Sequence, residues 1–126
     1  MTIVTEIENL KQFNGILSNN PGLVILKLGA TWCGPCQQVK GLVHDLMENI
    51  RNVYGDTVVC YDIDVDESFE LYALLKSKKM INGIPAILCW KSGNVSIIPD
   101  DTALGSNQLE IKLLFNRCAK YLSLVK

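Results

Sequence analysis

The feature that most constrains this chain is the stretch at residues 32–36, WCGPC, which places two thiols three positions apart. A mostly apolar run of strand length, Leu23–Gly29, comes just before it, and apolar residues at helical spacing follow from Gln37 onward. The pattern therefore predicts a strand that passes almost directly into a helix, with the first thiol at the amino end of that helix.

The position of Cys33 at the helix amino end has a chemical consequence. Unpaired backbone N–H groups and the helix dipole favour an anion there, and a thiolate is such an anion, so the pKa of the Cys33 thiol is expected to be lowered. Cys36 lies one helical turn further on, where it is expected to be more buried and able to attack a mixed disulfide on Cys33. Pro35 is tolerated because the first helical turn has no N–H bond to lose. The stretch is typical of a reversible dithiol–disulfide couple.

A zinc site is the main alternative for two cysteines at this spacing, but it needs a second pair of ligands. The other three cysteines, Cys60, Cys89 and Cys118, are scattered singly, and His44 is the only histidine. His44 falls on the polar side of the predicted helix, which indicates a solvated side chain. We therefore predict no metal ligands, and we interpret the three single cysteines as small core side chains.

Composition limits the class of protein further. A chain of 126 residues suits one domain, predicted over residues 1–126. Twelve basic and thirteen acidic residues give a net charge of −1, which does not favour nucleic acid or an anionic membrane as partner. No apolar run has the length of a membrane span, and residues 1–6 lack the pattern of a signal peptide. Five cysteines without a framework spacing favour a reducing compartment, so a cytoplasmic location is expected.

The remaining pattern predicts alternating strands and helices, which is typical of an α/β protein with a mixed sheet covered on both faces. The predicted strands lie at 3–7, 23–29, 57–63, from Pro85 to Trp90, and at 95–98 after a turn at 92–94. The predicted helices lie at 10–18, 35–52, from 67 or 68 to the basic run at 76–79, and after a loop at 99–107 to the end.

With residues 32–36 after the second predicted strand and Ile84-Pro85 before the fourth, the chain resembles the thioredoxins over nearly its whole length. The resemblance implies the thioredoxin fold, a central mixed β-sheet flanked by helices on both faces, with a cis peptide bond before Pro85 beside the dithiol. It also implies that Cys33 is the attacking cysteine and Cys36 the resolving one. The residues that it implies for substrate binding are Trp32, Gly34, Pro35, Ile84 and Pro85.

Two charged residues depart from the family pattern. Thioredoxins usually carry a buried aspartate six positions before the first cysteine, where this chain has Lys27, and Asp62 stands across the sheet. Because an isolated buried ion is costly, our hypothesis is a Lys27–Asp62 pair beneath the dithiol with a catalytic role. A neutral amine would accept the Cys36 proton, whereas a charged one would favour the thiolate. The alternative is that Lys27 extends to the surface and keeps its charge in water.

Two further departures concern the surroundings of the dithiol. Gly29 stands where an aromatic or small residue is usual. The predicted loop at 99–102 replaces the glycine that usually lets a substrate chain approach, so Thr102 is expected to contact the substrate. A side chain and negative charge there would narrow the range of targets.

The leading functional prediction is a protein disulfide reductase that works through a mixed disulfide. The Gly-Pro pair between the cysteines resembles that of the reducing members. The resemblance implies disulfide-containing protein substrates, recycling by an NADPH-dependent thioredoxin reductase, and a role in electron transport and cell redox homeostasis, with no cofactor bound to this chain. The alternatives are a disulfide oxidase or isomerase, if Lys27 stabilises the reduced thiolate, and a non-catalytic binding module with the same fold.

Overall fold

The structure, a computed structural model, describes residues 3–125. Met1, Thr2 and Lys126 lie outside the described residues. The two ends of the predicted 1–126 domain, and the first part of the amino-terminal stretch, therefore lie outside them too. The helices are α1 Leu10–Ser18, α2 Gly34–Tyr54, α3 Phe69–Ser77 and α4 Gln108–Val125. The strands are β1 Leu23–Gly29, β2 Val58–Asp64, β3 Ala86–Lys91 and β4 Asp101–Leu104, and a 3₁₀ turn at Gly55–Thr57 joins α2 to β2.

The four strands form one mixed sheet in the order β2-β1-β3-β4. β1 pairs with β2 in parallel and with β3 in antiparallel orientation, and β3 pairs with β4 in antiparallel orientation. Every residue of β1 is buried, because this strand is central and covered on both faces. The α/β fold class with a central mixed sheet and helices on both sides is confirmed.

The sheet separates two apolar cores. Val24, Leu26 and Leu28 of β1 point to the core that contains α1 and α3, whereas Leu23 and Ile25 point to the core that contains α2 and α4. This alternation follows from the two-residue period of a strand. Among residues 3–125, no helix is long and apolar enough to cross a bilayer.

The predicted first strand is wrong. Only Val4 pairs with the sheet, as an isolated bridge to Tyr61, and its carbonyl accepts the Asp62 N–H at 2.8 Å. The chain then turns away because Ile7 is buried on one face, where its N–H donates to the Ser68 hydroxyl at 3.2 Å. Packing of Ile7 in the core therefore takes the place of the regular strand pairing that the apolar pattern predicted.

The predicted last strand at 95–98 is also wrong, since β4 lies later, inside the stretch predicted as a loop. Val95 and Ile98 are exposed, and the Asn94 side-chain oxygen accepts the Ser96 N–H at 3.0 Å. Local hydrogen bonds of this kind satisfy the backbone without a ladder. Regular pairing with β3 starts only at Asp101, so Thr102 lies within the sheet opposite Leu88.

Candidate active site

The two cysteines of the WCGPC stretch lie where β1 gives way to α2. Cys33 is the N-cap of α2 with extended backbone (φ −90°, ψ 109°), and its sulfur accepts the Cys36 N–H at 3.2 Å. The two residues are joined by a disulfide, with their Cα atoms 5.2 Å apart. The sulfur of Cys33 therefore occupies the place of an N-capping oxygen, where a helix stabilises negative charge.

Solvent reaches the two sulfurs unequally. Cys33 is 6% exposed and Cys36 is 2% exposed, whereas Gly34 and Pro35 between them are exposed. Trp32 stands beside them with 66% of its surface accessible. The opening over the disulfide is thus narrow, and a target has to bring its own sulfur close to the protein backbone at this point.

Trp32 is held in place by a residue that sequence reasoning did not assign to the site. Its indole Nε1 donates to Asp66 Oδ2 at 2.8 Å, across the gap between the dithiol and the segment that leads into α3. Such a high exposure excludes a core-packing role for the indole ring. The signal for Asp66 was weak, because an aspartate near a predicted helix start is expected as a cap in any case.

The segment before β3 forms the second side of the opening. The Ile84–Pro85 peptide bond is cis, as the resemblance implied, and the Ile84 carbonyl oxygen lies 3.9 Å from the Cys33 sulfur. Ile84 is half-buried, so part of its backbone remains available beside the sulfur. Backbone groups in such a place can pair with an extended peptide.

Gly105, which directly follows β4, lies next to Pro85. The Pro85 carbonyl accepts the Gly105 N–H at 2.9 Å, and Gly105 has a φ of 95°, a conformation that favours glycine. The predicted loop at 99–102 is wrong at its end, since Thr102 belongs to β4, whereas the expected contact of Thr102 with a substrate stays a prediction. Thr102 pairs with Leu88 further along the sheet, because β4 begins later than the pattern indicated.

Beneath the dithiol lies the pair that the family departures predicted. Lys27 in β1 stands directly opposite Asp62 in β2, and Lys27 Nζ lies 3.4 Å from Asp62 Oδ1. The Lys27 side chain is only 4% exposed and that of Asp62 is 23% exposed. The predicted contact is confirmed, and the alternative in which Lys27 extends into water is wrong.

A cleft of about 520 Å³ joins this pair to solvent and to the resolving cysteine. Gly29 lies at its floor: a Cβ atom there would meet Cys36 Sγ at 3.6 Å and Lys27 Cε at 3.8 Å. The missing side chain at Gly29 thus leaves Lys27 and Cys36 facing the same space. At the rim, His44 Nε2 lies 3.7 Å from Glu48 Oε1 with both side chains exposed, as expected for a solvated histidine.

The other three cysteines lie in the core between the sheet and helices α2 and α4, away from the cleft. Burial raises the pKa of the Cys60 thiol to about 12, although Arg51 opposes the shift. Their interpretation as core side chains is confirmed by this burial. Within residues 3–125, no group of three or more histidine, cysteine or acidic side chains is arranged to hold a metal ion.

A disulfide at a helix amino end, beside a cis-proline, is the arrangement of a site that exchanges disulfides. A family model described as Thioredoxin matches residues 4–112. Thioredoxin 1 of Plasmodium falciparum is 29% identical over 117 residues, which cover 93% of this chain and 99% of that protein. Rabbit (Oryctolagus cuniculus) thioredoxin is 35% identical over 79 residues, which cover 62% of this chain and 70% of that protein.

Among solved structures, that of Trichomonas vaginalis thioredoxin matches with a TM-score of 0.70 and 25% identity, over 91% of this chain and 96% of that one. The chain belongs to the thioredoxin family. It is a thiol-disulfide oxidoreductase with a redox-active disulfide, and it acts as a protein disulfide reductase on disulfide-containing substrates.

Proposed function

We propose that Cys33 and Cys36 divide the reduction of a target disulfide between them. The Cys33 thiolate attacks one target sulfur, so that the target's S–S bond breaks and a mixed disulfide forms. The other target sulfur leaves in that first step as a thiolate and takes up a proton. Cys36 then attacks the Cys33 sulfur, closes the Cys33–Cys36 bond and releases the target sulfur that Cys33 had attacked, which also becomes a thiol. The single observation that carries this assignment is the Cys36 N–H donated to the Cys33 sulfur at the start of α2, 3.2 Å away.

The proposed substrate surface surrounds the narrow opening over Cys33. Ile84 would pair through its backbone with an extended target segment beside Pro85, and Gly105 would let that segment approach closely. The exposed Trp32 ring and the exposed turn formed by Gly34 and Pro35 would cover the other side of the target. Thr102, in β4, is kept in this proposal as a substrate contact, as the sequence predicted.

The Lys27–Asp62 pair is proposed to act on Cys36 through charge. Lys27 Nζ lies 3.4 Å from Asp62 Oδ1 in a mostly buried site, and the pair faces the same space as Cys36 Sγ. The positive charge would favour the Cys36 thiolate as the mixed disulfide is resolved. Asp62, which is partly exposed through the cleft, would exchange the released proton with solvent.

The wider setting is proposed from the family and from composition. An NADPH-dependent thioredoxin reductase would return electrons to the Cys33–Cys36 disulfide, so the chain would serve electron transport and cell redox homeostasis. Three thiols outside the active-site disulfide fit a reducing compartment, and we place the protein in the cytoplasm. Residues 1–126 would form one domain.

Trapping of the mixed disulfide tests the assignment of the two cysteines. With Cys36→Ser, a disulfide-containing target should accumulate as a covalent adduct on Cys33 that a reductant releases. With Cys33→Ser, no such adduct should form at Cys36 at a comparable rate, because Cys36 is nearly inaccessible. An adduct that forms faster through Cys36 than through Cys33 would reverse the two roles.

Lys27→Met tests the role of the buried pair. We expect release of the target from the mixed disulfide to slow by about tenfold and its pH dependence to shift, with a matching effect for Asp62→Asn. Lys40→Met is the matched control, because Lys40 lines the same cleft but is exposed. Unchanged release rates and pH profiles in both Lys27→Met and Asp62→Asn would exclude a catalytic role. If the pH profile of target release loses its basic limb in Lys27→Met and not in Asp62→Asn, the result would favour a neutral Lys27 amine as the proton acceptor.

Equilibration with glutathione tests the direction of the reaction. A strongly reducing dithiol supports the reductase, whereas a potential above that of the glutathione pool would favour the oxidase or isomerase alternative. A tenfold change in the equilibrium constant corresponds to about 30 mV for this two-electron couple, so a contribution from Lys27 is measurable. Lys27→Met should make the dithiol more reducing, because it removes a charge that stabilises the thiolate.

A further inference from the structure

Two cysteines with no part in the active site lie in contact with each other. Cys89 is in the middle of β3 and Cys118 is on the inner side of α4, and their sulfur atoms are 3.3 Å apart. Both residues are free thiols and both are buried. A disulfide bond is about 2.05 Å long, so a shift of little more than 1 Å between the two elements would bring the sulfurs to bonding distance.

The contact is supported by an ion pair between α4, which carries Cys118, and β4, the strand next to the one that carries Cys89. Asp101 in β4 stands directly opposite Cys89, and Arg117 precedes Cys118 in α4. Arg117 donates to the Asp101 carboxylate through Nε at 2.7 Å and through Nη2 at 3.1 Å. This two-point contact holds α4 against the sheet beside the sulfurs, so that their proximity does not depend on the thiol contact alone.

We propose that Cys89 and Cys118 form a second dithiol–disulfide couple, which joins β3 to α4 when the protein meets a hydroperoxide. One thiolate attacks the peroxide oxygen, which breaks the O–O bond and leaves a sulfenic acid and an alcohol or water. The second thiol then attacks that sulfur, the S–O bond breaks, water leaves and the S–S bond forms. The two sulfurs lose two electrons in all, and the peroxide takes them up.

The environment of Cys89 makes this couple slow. The contact with the Cys118 sulfur, and then burial, raise the pKa of the Cys89 thiol well above its ordinary value, so little thiolate is present near neutral pH. The active-site dithiol should therefore be oxidised first. The second disulfide would form only under lasting exposure to peroxide, and it would tie the last helix to β3, the strand that follows Pro85.

The experiment uses the Cys33→Ser/Cys36→Ser protein, in which only Cys60, Cys89 and Cys118 remain. The folded protein is treated with hydrogen peroxide, then denatured and labelled with N-ethylmaleimide, and the labelled cysteines are mapped by mass spectrometry with and without reduction. We expect the number of labelled cysteines to fall from three to one, with the label on Cys60 and a reducible link between Cys89 and Cys118.

Further variants keep the outcome decisive. Cys60→Ala in the same background is the matched control, because it removes a buried thiol of the same core and should leave the link intact. Cys118→Ala should abolish the link. Three labelled cysteines after exhaustive peroxide treatment, a link that includes Cys60, or a link that forms only when the peroxide is added in urea would overturn the proposal. Since the active-site cysteines are absent, none of these results bears on the disulfide reductase activity.

Discussion

The molecule holds cysteines in two opposite environments. Cys33 lies at the amino end of α2, where its sulfur accepts a backbone N–H and a narrow opening connects it to solvent. Cys60 lies in the core behind the sheet, where burial raises the pKa of its thiol to about 12. The same functional group is thus favoured as an anion in one region and held as a neutral thiol in the other.

The comparison shows that the reactivity of a cysteine depends more on where its sulfur lies relative to helix ends and backbone N–H groups than on its exposed area alone. Cys33 is almost as inaccessible as the core thiols by exposed area, yet it stands at the positive end of a helix, where its sulfur accepts a backbone N–H. The Cys60 sulfur lies in the middle of β2, away from any helix end, and burial raises the pKa of its thiol more than Arg51 lowers it.

The largest expected effect comes from removing a sulfur from each region. Cys33→Ala should lower turnover of a disulfide-containing protein by about 10³-fold or more, because the nucleophile is lost. Cys60→Ala should leave turnover nearly unchanged and lower only the free energy of unfolding. The measurement is the steady-state rate at which each variant reduces the protein disulfide with an external reductant. Equal losses of turnover in Cys33→Ala and Cys60→Ala would contradict the difference between the two regions.

The second prediction concerns pH and the core thiol. Above pH 9.0, the ordinary pKa of a cysteine here, the unfolded chain loses the Cys60 proton while the folded chain keeps it until the pH approaches 12. The folded state then binds more protons, so the free energy of unfolding falls as pH rises, by about 1.4 kcal/mol per pH unit for this group.

Urea unfolding of the oxidised protein between pH 8 and pH 11 measures this slope. Cys60→Ala should show a shallower decline, while ionisation of lysine and tyrosine side chains affects both proteins alike. Identical slopes would mean that Cys60 ionises as readily in the folded protein as in the unfolded chain.

The third prediction sharpens the description of the active-site rim. Gly105→Ala and Gly93→Ala both place a side chain at positive φ, 95° and 93° respectively, with no atom within 4 Å of the new Cβ. Each should lower the free energy of unfolding by about 1 kcal/mol. Only Gly105→Ala should also lower turnover of a protein target, by roughly tenfold, because Gly105 lies beside Pro85 and Gly93 lies at the other end of β3.

Turnover of a small-molecule disulfide provides the control for this pair, since a small substrate needs no extended backbone contact. Gly105→Ala should leave it unchanged. If Gly93→Ala reduces turnover of the protein target as much as Gly105→Ala does, the effect comes from stability and Gly105 has no part in admitting the target.

The smallest expected effect concerns the Trp32–Asp66 hydrogen bond. Asp66→Ala removes the acceptor at 2.8 Å and should lower kcat/KM for a protein target by about threefold, in line with one partly exposed hydrogen bond. Glu67→Ala removes the neighbouring exposed carboxylate and serves as the control. A larger loss in Glu67→Ala than in Asp66→Ala would show that general negative charge matters here and the hydrogen bond does not.

Prediction from sequence was most successful where local pattern and chemistry agreed. The bounds of β1, and a helix that starts at the dithiol, followed from an apolar run and a proline in the first turn. Prediction failed at both edges of the sheet. Residues 3–7 and 95–98 have strand-like side chains, but the Ser68 hydroxyl accepts the Ile7 N–H and the Asn94 side-chain oxygen accepts the Ser96 N–H, so the backbone there is satisfied by other means. Because the last strand was misplaced, the sequence did not point to Gly105 beside Pro85.

The sequence by itself determined that two thiols one helical turn apart begin a helix, because helix geometry depends on residues that are neighbours in the chain. The thiol–disulfide chemistry follows from that placement. Only the tertiary structure decided which residues from distant segments meet: Gly105 with Pro85, Lys27 with the space beneath Cys36, and Cys89 with Cys118. The physical reason is that the register of an edge strand and the docking of a helix depend on contacts between distant segments. Local periodicity does not encode those contacts.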